Sequence, residues 1–308
     1  MSNVSNNVTL VLENLGYSPD AISSVLETVK NSRQLPTSVY LETRLDGSET
    51  IDVTTCHHFS QDWSESMIDS DLIESLNSLP IKHRPTHIWL EYDEAQLSLQ
   101  SPGVHLTPYK DNLDCLAALY EILFRSPESS PIFDIELVNS TAKIRHISKL
   151  VRAGKSHLKM HVKTTTAQLN QILFSLGWHG DYAQLERVIS NLESLEPAIL
   201  QHCIYADLAF CGDELSPRLG LYLSNKEYPQ MSNQQMYDTF IALADKFPHD
   251  KSTHAKFVKL LNDTNRHEFI CDYKLMLDDQ IEQKAYFCIQ KDTQQEVSVF
   301  ADLLKNAL

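Results

Sequence analysis

The sequence predicts an α+β fold in which about ten antiparallel strands close into a barrel, with a polar lumen and an outer ring of helices. Three observations carry this. A unit of two strands followed by one or two helices recurs about five times, with hairpins that begin near residues 38, 87, 142, 201 and 268. The strands have one apolar and one polar face, and each hairpin is followed by amphipathic helix whose stripe must bury against an apolar strand face. A sheet of that many strands would leave two edges to protect, and closure removes both. A ten-stranded barrel is wide enough to hold a ligand. An open antiparallel sheet with helices on one side and water on the other is the alternative that the pattern leaves.

The elements follow in order. "SVYLETRLDGSETIDVTTC" reads as two strands around a turn at Asp46-Gly47. Val39, Leu41 and Leu45 oppose Tyr40, Glu42 and Arg44, and "SMIDSDLIESLNSL" follows as helix. The second unit is "THIWLEYDE" with "GVHLTPY", then the helix "NLDCLAALYEILF". "RSPESSPIF" (125–133) is the one loop-like patch. The third unit joins "AKIRHISKLV" to "SHLKMHVK", before the helices "TAQLNQILFSLGW" and "DYAQLERVISNLESL". The fourth pairs "CIYADLAF" with "RLGLYLS" across "CGDELSP", and "NQQMYDTFIALADKF" and "THAKFVKLLND" follow as helices. The last pairs "EFICDYKLML" with "KAYFCIQ" and ends in the helix "SVFADLLKNAL". With no linker in view, residues 1–308 read as a single domain.

Composition bounds the function. The chain carries 41 acidic against 26 basic residues, a net charge of −15, which argues against nucleic acid or an anionic membrane as the main partner. The N-terminus lacks the basic and apolar regions of a secretory signal, and no apolar run approaches a membrane span. The six cysteines show no C-x-x-C spacing, so free thiols in a reducing cytoplasm are expected.

Against that acidic balance, the strand "SHLKMHVK" (156–163) sets His157, Lys159, His161 and Lys163 on one face. A solvent-facing edge and an anion pocket are both consistent with it. Cations and tyrosines recur on one face in two further hairpins: Arg218 and Tyr222 in the fourth, Lys284 and Tyr286 in the fifth. Recurrence on three separate hairpins favours the pocket.

These segments resemble the ABBA or PT-barrel prenyltransferases, and among them most of all the cyanobactin peptide prenyltransferases. The resemblance runs over nearly the whole chain. It rests on "YLETRLDGSETI" (40–51), where that family has a catalytic Glu after a Leu, on the Lys-x-His strand in "SHLKMHV", on "AYFCI" (285–289), and on "PRLGLYL" beside the Arg-x-Lys-x-Tyr strand of the fungal indole branch. It implies transfer of a prenyl group from an allylic diphosphate to an aromatic, peptide or other nucleophilic acceptor, as in natural-product and RiPP biosynthesis. Glu42 would hold the acceptor or take its proton. Lys159, His161, Arg218, Tyr222, Lys274, Lys284 and Tyr286 would bind the diphosphate. Such chemistry needs fixed positive charge on the leaving group, phenol faces against the carbocation and a carboxylate for the proton. Mg²⁺ could enter through the diphosphate oxygens. The sequence also departs from the pattern. Gly220 stands where the indole branch has Lys, "IDVTTCHHF" lacks the expected Arg unless His57 substitutes, and Glu91 and Asp93 would repel a diphosphate if they face inward. These departures favour the alternative of a non-catalytic binding protein for a peptide or small molecule on the same barrel.

Two metal-like motifs do not fit a metal. "DDQIE" (278–282) mimics an Asp-rich Mg²⁺ motif but falls in a hairpin turn. "CHH" (56–58), even with His83 and His87, matches no zinc spacing, and adjacent His57 and His58 point to opposite strand faces. No metal ligand is assigned. Trp178 reads as a helix-end aromatic packed on a Gly turn.

Overall fold

The computed structural model describes residues 2–31, 36–60, 68–93, 102–109, 112–124, 132–152, 155–195, 204–212, 214–224, 231–262 and 269–290. Ten strands form a closed antiparallel barrel in which each pairs with its neighbours in sequence, and the last pairs with the first. They are β1 (Ser38–Arg44), β2 (Ile51–His58), β3 (Pro85–Tyr92), β4 (Gly103–Pro108), β5 (Lys143–Arg152), β6 (Lys155–Thr164), β7 (Ile204–Cys211), β8 (Glu214–Ser224), β9 (Phe269–Leu277) and β10 (Ile281–Gln290). The seam sets Leu41 opposite Phe287 and Glu42 opposite Tyr286. The expected closure is therefore present, and the open sheet is not.

Around the barrel lie α1 (Ser2–Leu15), α2 (Pro19–Asn31), α3 (Ser70–Ser78), α4 (Leu113–Phe124), α5 (Ile132–Thr141), α6 (Thr166–Ser175), α7 (Tyr182–Leu195), α8 (Asn233–Ala244) and α9 (Lys251–Asn262). Because the strands alternate in direction, the short hairpin links all lie at one end of the barrel. The helix-bearing links start from the other. The core is the layer between strands and helices. Val39, Leu41, Val53, Ile88, Leu90, Leu106, Met160, Val162, Leu208, Leu221 and Phe287 point outward from the barrel and are buried against Val11, Leu116, Leu119, Leu169, Val188, Phe240 and Phe257 of the helices. A helix stripe and the apolar face of a hairpin each leave a surface that only the other can cover.

Local chemistry sets the element ends. Asp69 caps α3 by accepting from the amide of Asp71, and Thr165 and Ser232 open α6 and α8 with full capping boxes to Gln168 and Gln235. Gly47 turns the first hairpin at φ 88°, a left-handed conformation that costs glycine least.

Several sequence expectations need correction. Helices α1 and α2 precede the first hairpin, where no element was expected. The expected loop 125–133 runs too far, since helix α5 already begins at Ile132, where "IFDIELVN" buries Ile135 and Val138 on one side, and residues 125–131 lie outside the described residues. β8 starts at Glu214 rather than Arg218, so part of the expected turn "CGDELSP" is strand. "DDQIE" is indeed a hairpin turn, running into β10 at Ile281. The expected C-terminal helix "SVFADLLKNAL" lies outside the described residues. Among the described residues no helix is long and apolar enough to cross a membrane.

Candidate active site

The polar faces of the ten strands converge on one lumen. Among the described residues, cavities of about 560 and 620 Å³ lie in it, one toward the end where the helical links start and one toward the hairpin end. Glu42, Glu91, Lys159 and Asp207 line both, so they form the waist between them.

β-strand alternation places most of the waist. Tyr222 faces Lys274 across β8 and β9, Lys274 faces Lys284 across β9 and β10, and Tyr286 faces Glu42 across the seam. Asp207 of β7 is the hub. It accepts from Lys274 Nζ at 2.7 Å and from His161 Nδ1 at 2.7 Å, and Lys159 Nζ stands 3.4 Å away. Lys274 also donates to the Tyr222 hydroxyl at 2.9 Å and to that of Tyr286 at 3.4 Å, with its ammonium 4.3 Å from the centre of the Tyr222 ring. Tyr222 donates to Tyr286 at 3.0 Å. Glu42 accepts from Lys284 on one oxygen and from Tyr286 on the other. On the far side, Glu91 pairs with Lys159 at 3.5 Å and His105 at 2.7 Å, and Ser148 bonds His105.

This network shifts the groups in it. Burial alone would push Asp207 up, yet Lys159, Lys274 and the His161 hydrogen bond outweigh it and hold its carboxyl well below the usual range. Burial likewise opposes ionisation of Glu42, but Lys284 and Lys274 keep it below its ordinary value. Burial pulls Lys274 down to about 8, only partly offset by Asp207 and Glu42. It also lowers His161 despite Asp207, and it raises the Tyr222 and Tyr286 phenols well above their usual range.

Above the waist runs a wall of rings. Tyr40 lies 5.2 Å from Trp89, Trp89 5.2 Å from His146, His146 5.4 Å from His161, His161 4.9 Å from Tyr222, and Tyr222 5.1 Å from Tyr286. Tyr205 stacks on His161 at 4.8 Å. Trp89 and His146 are locked by a shared partner, the Thr107 hydroxyl at 2.9 Å from each. His146 is held neutral, first by burial and then by its imidazole neighbours.

The structure brings all eight sequence candidates into the lumen, at different levels. Glu42, Lys159, His161, Tyr222, Lys274, Lys284 and Tyr286 meet at the waist. Arg218 lies toward the hairpin end, half-exposed, where it pairs with Glu282 at 2.8 Å and Asp278 at 3.5 Å. Glu91 and Asp93 do face inward. His57 does not replace the missing Arg. It is on the outer face of β2, buried against the helices and bonded to Thr55. His58 projects the other way and stacks on His87, so the two imidazoles are on opposite faces as expected. A Cβ on Gly220 would lie 2.7 Å from Cε of Lys274, so the glycine leaves room for the Lys274 stem to cross β8. Trp178 donates to the Ser216 and Pro217 carbonyls at 3.1 Å, tying the end of α6 to β8.

Sequence reasoning missed Tyr40, Trp89, His105, His146, Tyr205 and Asp207. The alternation of "THIWLEY" carries a signal for Trp89, which shares a face with Glu91. No such signal exists for His146, because a register shift between Ile144 and His146 puts Arg145 and His146 both on the lumen.

The fold is that of the PT barrel. The solved structure of 5-dimethylallyltryptophan synthase from Streptomyces coelicolor superposes with a TM-score of 0.62 at 12% identity, covering 94% of this chain and 97% of that one. A 6-dimethylallyl tryptophan synthase gives 0.61 at 13% identity, over 92% of this chain and 95% of that one. NotF, solved in complex with brevianamide F and DMSPP, gives 0.58 at 12% identity, over 91% of each chain. The likeness is to the barrel as a whole and does not single out the cyanobactin branch. No protein-family model and no curated protein sequence matches the chain.

Proposed function

We propose that this barrel transfers a prenyl group from an allylic diphosphate to an electron-rich aromatic acceptor. One observation carries the reading: three lysines and two phenols from β6, β8, β9 and β10 meet inside a closed lumen, directly below a chamber walled by aromatic rings. Breaking the C1–O bond sends its electron pair to the diphosphate, and Lys159, Lys274 and Lys284 supply the cationic groups to hold that charge. In a water-poor lumen such contacts act more strongly than on a surface. The allylic cation is then shielded by the faces of Tyr222 and Tyr286. The acceptor's nucleophilic atom bonds to the cation, and its proton passes to Glu42, which the lysines keep ionised. Where Mg²⁺ takes part, it would arrive on the diphosphate oxygens.

A second reading has its own observation. Each of these lysines already has a carboxylate partner, and Glu91 and Asp207 would repel a diphosphate. This favours a non-catalytic barrel that binds a small molecule or a peptide. Thermal stabilisation by dimethylallyl and geranyl thiodiphosphates separates the two. Prenyl transfer requires a rise in Tm that Lys159→Ala and Tyr222→Phe largely remove, together with a prenylated product when an indole acceptor and the true diphosphate are supplied. No shift with either chain length would leave the binding protein standing.

A further inference from the structure

Outside the barrel, three side chains that the proposed reaction does not use gather where α8 turns into α9. Asp245 is the C-cap of α8, His249 lies in the link, and His254 is in the first turn of α9. One ligand atom from each lies within 4.8 Å of the other two. The imidazoles stack with centroids 4.3 Å apart at 31°. We infer that this corner binds one transition-metal dication of the zinc class through Asp245, His249 and His254. The inference is independent of the reaction proposed for the lumen.

The hydrogen bonds of His249 are the first argument. Its Nδ1 lies 2.9 Å from the Phe247 carbonyl and 3.1 Å from that of Ala244. Carbonyls only accept, so Nδ1 carries a proton, and in the neutral imidazole Nε2 keeps its lone pair. Ligating histidines are held in this way, with the other ring nitrogen donating to a backbone carbonyl or carboxylate. His254 is the second argument. Its Nε2 is buried and makes no hydrogen bond, although it stands 3.4 Å from Oδ1 of Asp245. That separation is about the edge of a tetrahedron around an ion with arms of about 2.1 Å. A nitrogen that reaches a carboxylate at ligand spacing, without the angle of a hydrogen bond, is placed to share an ion with it.

The donor set selects the metal. Two imidazoles and one carboxylate suit Zn²⁺ and its first-row neighbours, whereas Mg²⁺ and Ca²⁺ prefer oxygen ligands throughout. The Asp245 side chain is 60% exposed, which gives an ion a path in and leaves a fourth position for water.

The corner is also fixed before any ion arrives. Gln283 of β10 donates to the carbonyls of Ala244, Phe247 and Pro248 at 3.3, 3.0 and 2.8 Å. The amide of Asp250 donates to Leu45 at 2.8 Å, and the Asp250 carboxylate caps α9 through the amide of Thr253 at 2.8 Å. An ion here would clamp the end of α8 to the start of α9, against the outside of the β1–β10 seam.

The test uses the full chain, stripped with a chelator and titrated with ZnCl₂, read by calorimetry, by bound metal per chain and by Tm. The expected result is one Zn²⁺ per chain and a rise in Tm that Mg²⁺ and Ca²⁺ do not reproduce. Co²⁺ should give the visible absorption of a site with nitrogen ligands. Asp245→Asn and His254→Gln should each weaken Zn²⁺ at least tenfold. His58→Ala, at the separate His58–His87 ring pair, should not. No uptake, or uptake that survives both substitutions, overturns the inference. Should His254→Gln fail to fold, Asp245→Asn decides, because that side chain is exposed. Failure here leaves the lumen reading untouched, and failure of thiodiphosphate binding leaves this site untouched.

Discussion

Asp207 shows how one residue can work against the reaction proposed for the lumen around it. Its carboxylate neutralises Lys274 and Lys159 and orients His161, in a position only 4% exposed. Removing its charge leaves buried ammonium groups uncompensated, which typically costs about 3–5 kcal/mol. The same change frees those groups for an anion. Asp207→Asn is therefore expected to lower Tm while strengthening the binding of dimethylallyl thiodiphosphate, and calorimetry on the variant checks it. Weaker binding would mean that Asp207 positions the lysines rather than competing for them. Lys274 adds a pH dependence. Burial depresses its pKa to about 8, so its charge is present below that value and lost above it. Thiodiphosphate affinity should fall as pH rises from about 7 to about 9, and the fall should be shallower in Lys274→Gln. The stability contribution has the opposite sign, because above about 8 the unfolded chain holds the lysine proton that the native chain has released, so this group favours folding more as pH rises.

At the scale of elements, the site depends on how β8 and β9 lie together. Lys274 reaches Asp207 by crossing over Gly220, and the contact is closer than any Cβ would permit. Gly220→Ala is expected to push the lysine stem aside, at a cost of about 1–3 kcal/mol for overpacking. Denaturant unfolding and thiodiphosphate binding should both show the change, and unaltered ligand binding would show that the lysine stem can move at no cost to the site. Sequence reading identified Gly220 as a departure and Lys274 as a candidate, but it could not connect them. The connection is a cross-strand relation between residues 54 positions apart. The parity of β5 was hidden for a related reason, since a bulge shifts the inward face by one residue and leaves no mark on hydropathy.

At the scale of the whole molecule, the seam between β1 and β10 joins the two ends of the described barrel. Glu42 spans it, to Lys284 and Tyr286 across more than 240 residues of sequence. A barrel cannot open there without exposing the apolar layer beneath the helices. The amides of Leu41 and Phe287 are thus expected to exchange with solvent as slowly as those of the β5–β6 hairpin, by hydrogen exchange under native conditions. Much faster exchange at the seam than at that hairpin would mean that it opens locally, as a loosely closed sheet would.

The linear sequence by itself determined the hairpins, the amphipathic helices and the side of each regular strand that faces the helices. All of these follow from periodicities of 2 and 3.6 residues, which a chain displays before it folds. It also named most of the cations and phenols of the waist, because they fall on the polar side of regular strands. Only the tertiary structure decided which of those groups touch. Whether Asp207 neutralises Lys274, whether Trp89 joins the aromatic wall, and whether Asp245, His249 and His254 come within ligand distance of each other depend on barrel register and on the meeting of helix ends. Those are distances between segments remote in sequence, and hydropathy patterns do not encode them.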